Sequence, residues 1–231
     1  MGPGSGAQIP RAAEIAWVTA AYLAGTLPST WLVARATHAT ALQAEAGRRA
    51  GETDPHVLMT KHLGWAWTVA ATTTDVLKGL LVVLAARELG GLPDAWLAAA
   101  GVGAVLGHAF PFFLRRWAGR GLATAAGVLL VLLPAEMALA GLLILFGYLI
   151  HATGLLSTIA MASVPVLAAA RGQPEAFVWM AAAILVILLL RRLEGVGEVV
   201  AAGASWPRAL LWRAVLDASA PAGPEPNGTS G

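Results

Sequence analysis

From Phe177 to Leu190 the chain carries no charged side chain (Phe-Val-Trp-Met-Ala-Ala-Ala-Ile-Leu-Val-Ile-Leu-Leu-Leu). A helix built from this run is apolar on every face and has no surface to show to water. In lipid each backbone N–H and C=O must find its partner inside the segment, so a helix is the structure such a run adopts. The run lies in the last of seven hydrophobic stretches, at roughly 13–35, 57–86, 95–114, 121–133, 135–151, 154–170 and 176–191. The fourth is short, ends at Pro134 and is expected to cross a bilayer only in part.

Composition agrees with that reading. Apolar residues make up 58% of the chain and charged residues 12%, where soluble domains carry roughly a quarter charged. The expected fold is therefore an all-α polytopic membrane helix bundle of about seven transmembrane segments. Its organisation reads as a flexible N-terminus over 1–12, a membrane domain over 13–200, and a C-terminal part over 201–231. That last part is expected to hold a short interfacial helix over 205–217, with Trp206 and Trp212 at headgroup level, and a disordered tail. The first stretch is long for the apolar region of a signal peptide, so a retained helix is expected. No internal repeat is present, which weakens a transporter built from duplicated halves. A net charge of +2 does not suggest a nucleic-acid partner, and the lack of cysteine excludes disulfides, thiolate metal sites and a cysteine nucleophile.

The cations alternate between the connections. One side collects Arg35, Arg48, Arg49, Lys61, Arg115, Arg116, Arg120, Arg191, Arg192, Arg208 and Arg213. The other has Arg11, Arg87 and Arg171, and Lys78 falls inside a stretch. Positive residues favour the cytoplasmic side, which predicts a cell-membrane protein with its N-terminus outside and its C-terminus inside. The seven tryptophans Trp17, Trp31, Trp65, Trp67, Trp96, Trp117 and Trp179 fall near stretch ends, as interfacial anchors do.

Two polar groupings point to chemistry. The segment from Gly107 and His108 through Arg115 and Arg116 to Gly119-Arg120-Gly121 and Thr124 lies at the predicted cytoplasmic edge. Glycines around Arg120 leave backbone N–H groups open to an anion, and the apolar stretch that follows aims a helix N-terminus at the same place. Arg120 can grip phosphate or serve only as a positive anchor, and His108 can contact substrate or simply end a span. Asp75 and Lys78, three residues apart, share a helix face and can pair, which lowers the cost of charge in the bilayer. A buried pair that fixes packing is as good a reading as a substrate role. Thr72, Thr73 and Thr74 beside them suggest that this helix lines the interior. His38, His56 and His151 are scattered, and no pair has ligand spacing with a carboxylate, so no metal site is expected.

These segments resemble the PlsY-type acyl-phosphate:glycerol-3-phosphate acyltransferases from about Tyr22 to Glu198. Ala21-Tyr-Leu-Ala-Gly-Thr-Leu-Pro-Ser29 is similar to the family's A-Y-L-x-G-S-I-P start, and Asp75-Val-Leu-Lys-Gly79 matches D-V-L-K-G. The central motif, G-H-x-x-P-V-F then G-G-K-G-V-A-T, is met by Gly107, His108, Pro111, Phe113, Gly119, Gly121, Ala123 and Thr124, with Arg120 in place of lysine. Arg192, Leu193 and Glu198 match the last motif, N-I-x-R-L-x-x-G-x-E, whose asparagine position is Leu189. The first motif, G-S-G-N-P-G-A-T-N-V-L-R, falls on Gly51 to His62 and keeps only Gly51 and Pro55. Glu52 and Asp54 bring acid into a loop that elsewhere cradles phosphate, and His62 stands at the arginine with Lys61 beside it.

The resemblance implies a seven-span bundle that moves an acyl group from acyl phosphate to glycerol 3-phosphate beside membrane lipid, without a cofactor. It implies a catalytic His108, substrate contacts from Gly107, Gly119, Arg120, Gly121, Thr124, Lys61, His62 and Arg192, and structural support from Asp75, Lys78 and Glu198. The eroded first motif leaves an alternative: a catalytically degenerate relative that binds lipid or a partner. Acyl-chain length and oligomeric state are not set by the sequence.

Overall fold

The computed structural model describes residues 10–48, 55–201 and 203–216. Among them the chain forms twelve α-helices and no strand. The first stretch splits into α1 (Arg11–Gly25) and α2 (Ser29–Ala36). Pro28 lacks the N–H that would continue the helix and biases Leu27 to extended backbone. Two short helices, α3 (Thr40–Arg48) and α4 (Pro55–Leu63), lead to α5 (Trp65–Glu88). The second expected stretch is thus broken at Gly64, whose φ of +88° is in the left-handed region. The third ends early: α6 (Asp94–Ala109) stops five residues short of the expected 114, before Pro111.

A single 3₁₀ turn, Arg115–Trp117, precedes α7 (Leu122–Leu132) and α8 (Pro134–Leu149), which meet at the break Pro134 imposes. Next come α9 (Thr153–Ala170) and α10 (Glu175–Arg192). The short α11 (Val196–Ala201) and α12 (Trp206–Leu210) close the described chain, α12 running into a wide turn over Leu211–Val215. A helix therefore lies where the C-terminal one was expected. α1 begins at Arg11, inside the stretch expected to be flexible, and residues 1–9 lie outside the described part.

α5 and α9 are long and apolar enough to cross a membrane. Their neighbours pack through glycines. A methyl group at Gly107 would lie 2.1 Å from the Tyr22 carbonyl oxygen, and one at Gly103 3.2 Å from that of Val18. These contacts advance together, so α1 and α6 run parallel. Gly79 meets Thr124 in the same way, at 2.2 Å, and Arg87 reaches the Val131 carbonyl, so α5 and α7 also run parallel. Small residues are the means by which helices approach in lipid, where no hydrophobic drive separates them from the tails. The large apolar side chains Leu142, Leu145, Phe146, Val166, Trp179 and Val186 point outward instead.

A second, smaller cluster forms where α2, α3, α4 and the 3₁₀ turn meet, from Ala34, Leu42, Ala46, Leu58 and Trp117. Trp117 is 4% exposed there, so it is a core residue and not the interfacial anchor that its position in the chain suggested. Thr73 and Thr74 face outward, contrary to expectation, and the Thr74 hydroxyl is turned back onto the Ala70 carbonyl. A threonine satisfies its hydroxyl in this way without an interior partner.

Candidate active site

Asp75 sits in the middle of α5 with 0% exposure and collects partners from four elements. Ser29, at the start of α2, donates its hydroxyl to Oδ2 at 2.7 Å. Lys78, one turn along α5, reaches Oδ1 at 2.9 Å. His56 of α4 brings Nε2 to 3.2 Å from Oδ2, and His108 of α6 brings Nδ1 to 3.5 Å from Oδ1. A carboxylate buried to this degree is tolerated when its oxygens are paired in this way.

Lys78 does more than neutralise Asp75. Its ammonium donates to the carbonyls of Gly25 and Leu27 at 3.2 and 2.9 Å. Those carbonyls belong to the break between α1 and α2, where helix-end oxygens lack intrahelical donors. Lys78 also lies 3.1 Å from His108 Nδ1. The three N–H groups of the ammonium are matched by Asp75, Gly25 and Leu27, and Lys78 and Asp75 together hold Nδ1 in place. Nε2 faces Gly119 so closely that a methyl group there would lie 2.0 Å away. The glycine is thus required by the histidine.

The loop that holds Gly119 is fastened from below. Arg191 donates through Nε to the Gly119 carbonyl at 3.1 Å and through Nη2 to that of Ala118 at 2.9 Å, while Nη1 pairs with Glu194. Sequence reasoning passed over Arg191 and Glu194 as parts of the site. Their i, i+3 spacing at a helix end was the available signal. Gly121 follows with φ +87° and opens α7, so the first turn of that helix points its N–H groups at the same region.

Above this floor lies a cleft of about 380 Å³ between α4, α5, α7 and α8. His56, Thr72, His108, Arg120 and Gly121 contribute its polar lining, and Val76, Leu122, Ala123, Ala126, Met137, Gly141 and Ile144 its apolar lining. The first can meet an anion and the second an alkyl chain.

The remaining expected residues are placed elsewhere. Gly107 packs on Tyr22, as above. Thr124 is fully buried where α7 crosses Gly79, and its hydroxyl has no partner among the described residues. Arg192 donates to Ser157 at 2.9 Å and pairs with Thr158, tying α10 to α9. Lys61 and His62 both turn to Glu45 of α3, at 3.0 and 2.7 Å, and not to the cleft. Lys61 and His62 hold the Glu45 carboxyl well below its usual 4.5, at about 2, the hydrogen bond with His62 contributing most. Glu52 and Asp54 lie outside the described residues, as does the side chain of Glu198. His56 is the residue that scattering in the sequence concealed: it stands at a glycine of the family's first motif and reaches Asp75 across a helix break.

The family model described as glycerol-3-phosphate acyltransferase matches residues 15–202. The glycerol-3-phosphate acyltransferase of Geobacter sulfurreducens is 34% identical over 186 residues, covering 79% of this chain and 92% of that protein. The one from Pseudomonas entomophila is 35% identical over 175 residues, covering 74% and 88%. Among solved structures, PlsY (YgiH), an integral membrane glycerol 3-phosphate acyltransferase, in its glycerol 3-phosphate form superposes with a TM-score of 0.69 at 26% identity. The match covers 81% of this chain and 92% of that one. The chain is an all-helical integral membrane protein, and it belongs to the glycerol-3-phosphate acyltransferase family.

Proposed function

We propose that this protein transfers an acyl group from acyl phosphate to glycerol 3-phosphate, forming lysophosphatidate and inorganic phosphate. One observation carries the reading: in a member of this family, a single cleft joins an imidazole-and-arginine end to an apolar wall. The acyl chain lies along Val76, Ala126, Met137, Gly141 and Ile144, and the reacting phosphate meets Arg120 and the first turn of α7. Acyl phosphate is already activated, so the acceptor hydroxyl attacks the carbonyl carbon directly. The new ester C–O bond forms, the bond from carbonyl carbon to phosphate oxygen breaks, and the hydroxyl proton ends on the departing phosphate. His108, oriented by Lys78 and Asp75, contacts the reacting groups with its imidazole. The protein supplies position and electrostatic stabilisation, which suffice for an activated donor.

The same reading assigns seven crossing elements, with α1 and α2 counted as one. Arg120, Arg191, Arg192 and Arg213 gather at the end that holds the cleft, whereas Arg87 and Arg171 lie near the junction of α7 and α8 at the other. Positive residues mark the cleft end as cytoplasmic. A cysteine introduced at Leu89, which is exposed, reacts with an impermeant thiol reagent in intact cells, and one at Phe113 does not. The reverse labelling overturns the orientation.

The activity is tested with purified protein, palmitoyl phosphate and glycerol 3-phosphate, with Arg120→Ala as control. Lysophosphatidate from the wild type and a loss of about 100-fold in the variant are expected. No product from folded wild-type protein overturns the reading and favours the degenerate, lipid-binding relative.

A further inference from the structure

We propose that His56 is a substrate-binding residue, contacting a phosphate in the cleft that Arg120 also lines. It rests on the reading of the cleft as the acyl-transfer site. Three observations carry it. First, His56 lines the polar end of the cleft together with His108, Arg120 and Gly121. Second, its ring is not adrift: Nε2 lies 3.2 Å from the fully buried Asp75, and the side chain is 18% exposed, held and yet reachable. Third, the first motif has lost its serine and both asparagines, and its cations Lys61 and His62 are drawn onto Glu45.

That last point creates the need. With Glu52 and Asp54 in the loop and Lys61 and His62 paired with Glu45, the first motif brings no other described cationic or imidazole group to the cleft. At His56 the family has glycine, which carries no side chain. An imidazole at that place sits one residue into α4, after Pro55, and brings a polar ring to the phosphate end. Asp75 then orients two imidazoles, His108 from α6 and His56 from α4, against the same region. A ring packed beside a buried carboxylate loses little orientational freedom when it meets a ligand.

The phosphate in question is a dianionic phosphoryl group, carried by both the acyl donor and the acceptor. Steady-state kinetics with palmitoyl phosphate and glycerol 3-phosphate, each varied at saturating levels of the other, tells the two apart. His56→Ala is expected to raise KM for one of them by about tenfold while kcat changes by less than about threefold, as for loss of one charge-assisted contact. The substrate whose KM rises is the one whose phosphate His56 meets. His56→Gln, which keeps an N–H donor, is expected to recover most of the loss, and it stands in if the alanine variant melts early. Both KM values within about twofold of wild type in a folded variant overturn the proposal, as does a fall in kcat with both KM values unchanged. Turnover that vanishes in Arg120→Ala but ignores His56→Ala removes this proposal and leaves the acyl-transfer reading standing. No turnover by folded wild-type protein removes both.

Discussion

Two parts of the molecule are built from one chemical recipe, a carboxylate with a lysine and histidine, and they differ in depth. Asp75 is held by Lys78, His108, His56 and Ser29 from four helices, and its lysine is 10% exposed. Glu45 is held by Lys61 and His62, both from α4, and its lysine is 61% exposed. In the interior, removal of one partner strands the others without water to replace it. Near the surface, water and salt take up the slack. The Asp75 group therefore ties α2, α4, α5 and α6 together at the site. The Glu45 group fastens α3 to α4 and keeps Lys61 and His62 turned from the cleft.

The contrast yields measurements in descending order of effect. Asp75→Asn keeps shape but leaves the Lys78 ammonium without its carboxylate. It is expected to cost about 3–5 kcal/mol and to lower turnover by about 100-fold through a misplaced His108. Thermal melting in detergent, followed by the acyl-transfer assay, reports both. A variant as stable and active as wild type would put Asp75 in the same class as Glu45 and end the comparison.

Glu45→Gln at neutral pH is expected to change the melting temperature less than Asp75→Asn, because Lys61 is exposed and water can replace its carboxylate. A large loss would mean that the α3–α4 junction depends on its ion pairs as heavily as the centre does.

The smallest effect is the acid limb. A carboxyl whose folded pKa is depressed stabilises the fold above its unfolded value and ceases to do so as pH falls through the folded one. For Glu45 that window runs from 4.5 down to about 2. Hydrogen exchange of the α3 and α4 amides is expected to speed up across it in wild type, and the portion due to this pair is absent in Glu45→Gln. Identical acid limbs in both proteins contradict the assignment.

Much of the site could be read from the chain because its parts are local. Asp75 and Lys78 share one helix turn, and Gly119-Arg120-Gly121 is a continuous segment that leads straight into α7. The residues that were misread or missed depend on contacts between distant segments. Lys61 and His62 carry the charge that a phosphate site wants, yet Glu45 lies sixteen and seventeen residues upstream and reaches them first. His56 meets Asp75 only because Gly64 turns α4 back from α5, and nothing in the local spacing announces that bend's direction. Trp117 has the position of an anchor, and it is buried because α2, α3 and α4 fold over it.

By itself the sequence determined the helical, membrane-embedded class, since long uncharged runs can satisfy their backbone only as helices in lipid. It also determined where helices stop, because Pro28, Gly64, Gly121 and Pro134 act through their own backbone geometry. Tertiary structure decided which of five histidines reach the cleft and which carboxylate claims which lysine. Those choices are made by packing: parallel helices that touch through Gly79, Gly103 and Gly107 set the distances over which charged groups then compete for partners.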